Sequence, residues 1–268
     1  MIAVEVKEEI GALYARMEDL CRRAEMGEVG ESEFLSPRLC HYGENYLKRK
    51  GVDYATFGGY GDAERKKIYV LPEYMADAGE NGIEQHLAQF GYTAGVTALR
   101  IDGSGYRTLT HRDFLGSLLG LGVERSVLGD LVTLDERGKS AVVFCEVGIA
   151  PFLLNVCEKV ANDKVKVTEW KLSEVTIPPR RFTPINDTVA SPRLDCVVSA
   201  LCNLSREKAR ELVCRGMVEM NFESEERPDR TVTVPALISV RGYGRYRVLK
   251  LCDLTKKGRI RLEAEQYR

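Results

Sequence analysis

Histidine is scarce in this chain: only His41, His86 and His111 occur, each in a different local context. The eight cysteines, at 21, 40, 145, 157, 196, 202, 214 and 252, include no C-x-x-C pair. Together these shortages exclude the usual zinc-ligand spacings. Several cysteines lie in apolar runs such as V-V-F-C-E-V, where Cys behaves as a small buried hydrophobe. Free thiols in a reducing cytosol are therefore expected. No apolar run reaches about 18 residues, so no transmembrane helix and no membrane partner are expected. The start, M-I-A-V-E-V-K-E-E-I, carries acids and lacks the apolar core of a signal peptide, which fits a cytoplasmic protein.

Catalytic signatures are missing as well. There is no Walker A, G-x-G-x-x-G or G-x-S-x-G motif. H-R-D at 111–113 has the letters of a kinase catalytic loop, but Leu118 stands where that loop needs a metal-holding Asn. Thr110 and Asp113 read instead as a helix-capping pair. R-L-D at 193–195 has the letters of the catalytic Asp segment of pseudouridine synthases, yet it runs on as C-V-V-S-A-L, an apolar helix face. Asp195 is expected to pair with a neighbouring arginine. Neither catalytic residues nor a cofactor nor a metal site is expected.

What the chain does have is an ordinary soluble composition and length. Its 268 residues are 44% hydrophobic and 29% charged, enough for about two domains. The net charge is −1, but unevenly spread. From Phe182 to Arg268 there are 16 Lys/Arg against 12 Asp/Glu, and before it 23 against 28. The C-terminal third is the basic part, as a nucleic-acid contact needs.

The pattern along the chain predicts an α+β protein. Residues 1–79 read as a mainly helical region with a short strand. Ile10, Leu13, Met17, Leu20 and Ala24 recur at helical spacing, and Ser36-Pro37 opens a second helix. Residues 80–175 read as βαββαβ, the ferredoxin-like plan, with a helix over about 151–160 and strands at 97–102, 129–135, 140–147 and 164–170. RNA-recognition domains share that topology, and so do many unrelated proteins. Both an RNA-binding and a structural or protein-contact role stay open for it. Residues 176–188, with I-P-P-R-R-F-T-P, read as a linker. Residues 189–268 read as a small domain. In it Ser191-Pro192 open one helix, Ser205 caps a second, and Gly216 ends it. M-V-E-M-N is a short strand, and a second strand spans Thr231 to Val240.

Arg193-Leu194-Asp195, Ser205-Arg206, Ala209, Gly216, Val218, Asn221 and Arg241-Gly242 form a spread pattern over 191–247. It resembles the αL-type RNA-binding domain first described in ribosomal protein S-four. One departure is Pro235-Ala236, where that family usually has Gly-Asp. F-L-S-P at 34–37, F-G-G-Y-G-D-A-E-R-K-K at 57–67 and R-G-Y-G-R-Y at 241–246 extend the likeness, so nearly the whole chain resembles the YlmH family. That resemblance implies a bacterial RNA-binding protein without chemistry of its own, and a monomer is expected. Its implied partners are ribosomal RNA on the large subunit, and peptidyl-tRNA, in rescue of stalled translation. An RNA-modifying enzyme carrying the same domain is the alternative, since this domain is often appended to pseudouridine synthases and methyltransferases.

The residues expected to touch RNA are Arg193, Ser205, Arg206, Lys208, Arg215, Asn221, Arg241, Tyr243 and Arg245. Arginines supply bidentate phosphate contacts, and a helix N-terminus favours anions. Tyr243 reads equally as a stacking or a packing residue. Arg65, Lys66, Lys67, Arg180 and Arg181 form a candidate second contact. In S-V-R-G-Y-G-R-Y, Gly242 and Gly244 read as the bent end of the domain's last strand.

Overall fold

The computed structural model describes residues 2–76, 82–255 and 258–267. The chain divides into two compact units, Met1–Pro178 and Pro179–Arg268. The expected boundary at 79/80 lies outside the described residues, and the first unit spans both sides of it.

The first unit begins with α1 (Ile2–Glu25), β1 (Gly30–Glu31), α2 (Pro37–Lys50), β2 (Tyr54–Phe57), β3 (Lys67–Val70) and α3 (Ile83–Gln89). The helical stripe of α1 buries Leu13, Met17, Leu20 and Ala24 against Leu47, Ile68 and Val70. Ser36 caps α2 by accepting from the Leu39 N–H, Pro37 takes the first turn, and Gly51 closes the helix at φ 68°. The three strands pair antiparallel in the order β1-β3-β2.

The second part of this unit runs β4 (Val96–Gly103), α4 (His111–Gly120), β5 (Leu128–Thr133), β6 (Ser140–Glu146), α5 (Ala150–Val156), β7 (Lys159–Val160) and β8 (Asp163–Trp170). The sheet order is β5-β6-β4-β8-β7, with every pair antiparallel. Thr110 and Asp113 form the expected capping box on α4. The helix expected to reach 160 stops at Val156. Beyond it the chain turns at Ala161, φ 51°, and Lys159–Val160 pairs with Asp163–Lys164. The β-hairpin there buries Val160.

Helices α4 and α5 cover one sheet face through Leu99, Ile101, Phe114, Leu118, Val143 and Leu153. On the other face Ala98, Val142 and Phe144 are buried, with Tyr60, Trp170, Leu172 and Val175 packed around them. Tyr60 stacks on Phe144 at 4.9 Å between ring centroids. Removing a buried ring leaves a cavity, so Phe144→Ala is expected to cost about 3–5 kcal/mol, read as a lower thermal midpoint.

The second unit holds β9 (Phe182–Val189), α6 (Leu194–Leu201), α7 (Arg206–Cys214), β10 (Val218–Met220), β11 (Glu223–Ser224), β12 (Ala236–Val240), β13 (Gly244–Leu254) and β14 (Ile260–Tyr267). Its antiparallel sheet has the order β11-β10-β12-β13-β14-β9. Both helices contribute to one core with the sheet, including Leu194, Val198, Val213, Ile238 and Val248.

Four local readings differ from expectation. Most of the stretch expected as linker is β9, which pairs with β14 from Phe182 to Val189. Pro184 is tolerated because β9 is an edge strand, where one missing N–H is affordable. Helix α6 starts at Leu194, not at Pro192, because Arg193 is extended and bridges Thr231. The Leu194 and Asp195 N–H groups donate to Arg230 O and Pro228 O. The strand expected from Thr231 begins only at Ala236, since Pro235 brings no N–H to the ladder. Finally, Arg241–Tyr243 is a three-residue hairpin loop, with Val240 opposite Gly244. Gly242 at φ 85° and Gly244 at φ 132° supply backbone angles that other residues rarely adopt. The segment S-V-R-G-Y-G-R-Y thus joins two strands, and β14 follows them.

Candidate nucleic-acid interface

Asp195 lies in the first turn of α6 and is 1% exposed. Its carboxylate accepts from Arg193 Nε at 3.1 Å and Nη2 at 3.2 Å, and from Arg206 Nε at 3.1 Å. The Cys196 N–H adds a fourth bond at 2.9 Å. Burial pushes the Asp195 carboxyl up, but the hydrogen bonds and charges of Arg193 and Arg206 outweigh it and hold the group below its ordinary range. The two guanidinium side chains stay 39% and 58% exposed. One buried acid therefore sets the direction of two surface arginines, one just before α6 and one on the first turn of α7. The expected pairing of Asp195 with an arginine is observed, twice over.

The helices are held together at their turn. Asn203 adopts φ 51°, the Leu204 N–H donates to Ser199 O, and Ser199 Oγ donates to Leu204 O at 2.6 Å. Ser205 Oγ then accepts from the Lys208 N–H at 3.3 Å. Ser205 thus works as a helix cap, leaving Arg206 and Lys208 exposed on the first turn of α7. Arg215 ends α7 and pairs with Glu211 at 2.8 Å. The Arg241 N–H donates to Met217 O, which ties the β12–β13 loop to the chain leaving α7. Arg241 itself is exposed.

Two expected contacts have internal partners. Asn221, at φ 53°, accepts from the Leu237 N–H through Oδ1 at 2.9 Å, fixing the turn after β10. Tyr243 packs against the domain core, and its carbonyl accepts from Tyr246 and Gln266. Packing is the role its contacts describe.

Arg245 lies elsewhere. Tyr246 and Val248 are buried, so strand alternation puts Arg245 and Arg247 on the sheet face away from the helices. There Arg245 and Arg180 stand over Tyr267 at 5.8 and 6.0 Å, and Arg247 stands over Phe182 at 4.8 Å. Phe182 and Tyr267 meet edge to face at 5.1 Å. Arg181 is exposed next to Arg180 in the chain. The expected arginines of this domain thus fall on two faces. Phe182, Tyr267 and Arg247 went unnoticed because β9 was not expected to be a strand.

The R-K-K run at 65–67 is turned mostly inward. Arg65 donates to Phe34 O at 2.7 Å, Arg125 O at 3.0 Å and Leu128 O at 2.9 Å. Burial, followed by the Arg125 charge, lowers its pKa to about 10 despite Asp130. The Lys67 side chain is 5% exposed and pairs with Glu31 at 2.5 Å and Glu146 at 2.9 Å. Both faces of β3 are covered, which removes Lys67 from any surface that meets phosphate. Lys66 is half-buried and bridges Leu35 through its backbone.

On the middle sheet, Arg100 stands 5.4 Å over the Trp170 ring and pairs with Asp102 at 2.9 Å. Among the described residues no His/Cys/Asp/Glu group could hold a metal ion, and no helix is long and apolar enough to cross a membrane. All eight cysteines are free thiols.

Residues 96–174 match the family described as "Putative RNA-binding domain in YlmH". The chain is 29% identical over 237 residues to a Bacillus subtilis (strain 168) protein named ribosome-associated protein quality control protein P2, covering 88% of this chain and 87% of that one. Among solved structures, the cell division protein ylmH from Streptococcus pneumoniae superposes with a TM-score of 0.50 over 62% of this chain and 93% of that chain. At 14% identity that likeness speaks to fold alone.

Proposed function

This chain is a YlmH-family protein, and on that premise we propose that it binds ribosomal RNA on the large ribosomal subunit. It acts there without chemistry of its own, in quality control of stalled translation, with peptidyl-tRNA as a further partner. The segment 96–174 is read as a ferredoxin-like RNA-binding domain, and the second unit as an αL-type RNA-binding domain. The name of the Bacillus relative supports the ribosomal setting.

The observation that carries the reading is the brace at Asp195. A buried carboxylate holds Arg193 and Arg206 by hydrogen bonds, beside the Ser205-capped start of α7. Structured RNA is recognised largely through shape, phosphate and 2′-hydroxyl contacts, and preset arginines suit that task. Each arginine held in place loses less rotamer freedom when it meets phosphate.

Arg206→Ala combined with Arg241→Ala is the test. Binding to purified large subunits is expected to weaken about tenfold or more. The slope of log affinity against log salt is expected to drop by about one per lost phosphate contact. Unchanged affinity and slope would remove this face from the interface.

A further inference from the structure

The middle domain carries a basic end that the brace on the second unit does not involve. Its centre is Tyr106, which is 96% exposed in the loop between β4 and α4. The loop is anchored at its base. Asp163, nearly fully buried, accepts from the Ser104 N–H at 3.0 Å and from Ser104 Oγ. The Tyr106 N–H donates to Ser104 Oγ at 3.3 Å.

The neighbouring β5–β6 turn is packed against this loop. The Gly103 N–H donates to Lys139 O at 2.7 Å. A Cβ on Gly138 would stand 1.6 Å from Leu109 O, so only glycine fits that approach. Asp135 is occupied inside the turn, accepting from the Arg137, Lys139 and Ser140 N–H groups. Asp163 and Asp135 thus spend their oxygens on neighbouring backbone and serine groups, and Asp102 pairs with Arg100.

The charge left at the surface is mostly positive. Arg107, Arg137 and Lys139 are exposed on the loop and turn, against Glu136. Lys164 and Lys166 are exposed on β8, on the sheet face away from the helices. Register sets Asp102 opposite Lys166 and Gly103 opposite Val165, which places these lysines at the end of the sheet from which the loop leaves. Lys159 and Lys164 are directly opposite each other. Like charges in that position do not stabilise the hairpin. None of Arg107, Lys139, Lys159, Lys164 or Lys166 makes an ion pair among the described residues.

We infer that this end of the middle domain is a contact for unpaired RNA, with Tyr106 stacking on a base and the surrounding cations meeting the backbone. An exposed aromatic ring amid Lys and Arg is the arrangement by which single strands are held. Duplex RNA hides its base faces, so a splayed nucleotide is the occupant that fits a fully exposed ring. The inference rests on the reading of this protein as RNA-binding and adds the class of RNA and the residues.

The test uses the full chain, a labelled 12-nucleotide oligo(U) and a blunt RNA duplex. Tyr106→Ala is expected to lower oligo(U) affinity about five- to fiftyfold, while Tyr106→Phe keeps it. Lys164→Gln with Lys166→Gln is expected to reduce the salt slope by about 1.4. Ultraviolet cross-linking is expected to map to the Tyr106 peptide, and the duplex is expected to compete poorly. Thermal melts should match wild type, because the ring makes no core contact. If wild type binds large subunits and oligo(U) but Tyr106→Ala binds both equally well, the Tyr106 contact is wrong while the ribosomal reading stands. If wild type binds neither, both fall.

Discussion

Asp195→Ala is expected to destabilise the second unit by about 1–3 kcal/mol and to weaken large-subunit binding about tenfold, although no basic residue is removed. The carboxylate accepts bonds from two arginines and one backbone N–H. Hydrogen bonds to a charged group contribute about 1.5–3 kcal/mol each when buried, but both arginines reach solvent, and this reduces the loss. A domain of this size loses about 4–8 °C of thermal midpoint per kcal/mol. Binding weakens because Arg193 and Arg206 then have to be ordered by the RNA itself.

Acid should reproduce part of this effect. The folded Asp195 pKa lies below its unfolded value, so its stabilising contribution is complete above the unfolded pKa and disappears as pH falls through the folded one. From about pH 5 downward wild type is therefore expected to lose stability faster than Asp195→Ala, in parallel denaturation series. Asp195→Asn keeps the shape without a titrating group, so its stability should fall with acid no faster than that of Asp195→Ala. Were R-L-D a catalytic segment, Asp195→Ala would abolish a modification of RNA while leaving binding intact. The opposite pattern is expected.

Lys67→Ala should be the second large effect, of another kind. It is expected to lower stability of the first unit by about 2–4 kcal/mol and to leave RNA affinity of the folded protein unchanged. The ammonium group sits between Glu31 and Glu146 and stands 5.8 Å over the Phe34 ring. Removing it leaves two carboxylates facing each other without a counter-charge. Breaking a buried pair from one side costs about 3–5 kcal/mol, and the partial exposure of both glutamates reduces that. Chemical denaturation at pH 7 together with a binding titration separates the two readouts. Lost affinity at full stability would restore Lys67 as an RNA contact.

Lys67 also shows where sequence reading ends. R-K-K looks like a basic surface run, but Lys67 opens β3, whose four residues are all buried. Three consecutive letters do not reveal which side of a sheet they face. The same holds for Arg245, which groups with Arg206 by letter but stands on the other sheet face. Elements with strong local signals were readable: the Ser36-Pro37 start, the Thr110–Asp113 box and the Ser205 cap all form as expected. Strand β9 was not, because Pro184 and the prolines just before the strand look like a linker and its pairing partner β14 lies about 75 residues away. Tyr106 carried no motif. Its meaning comes from Lys164 and Lys166, which only the β4–β8 register brings near.

The most direct measurement is sedimentation of the full chain with purified small and large ribosomal subunits across a salt series, beside the Asp195→Ala variant. Co-migration with the large subunit is expected, falling steeply with salt, with the variant released at lower salt. No association with the large subunit, or an association that ignores both salt and the variant, would contradict the account.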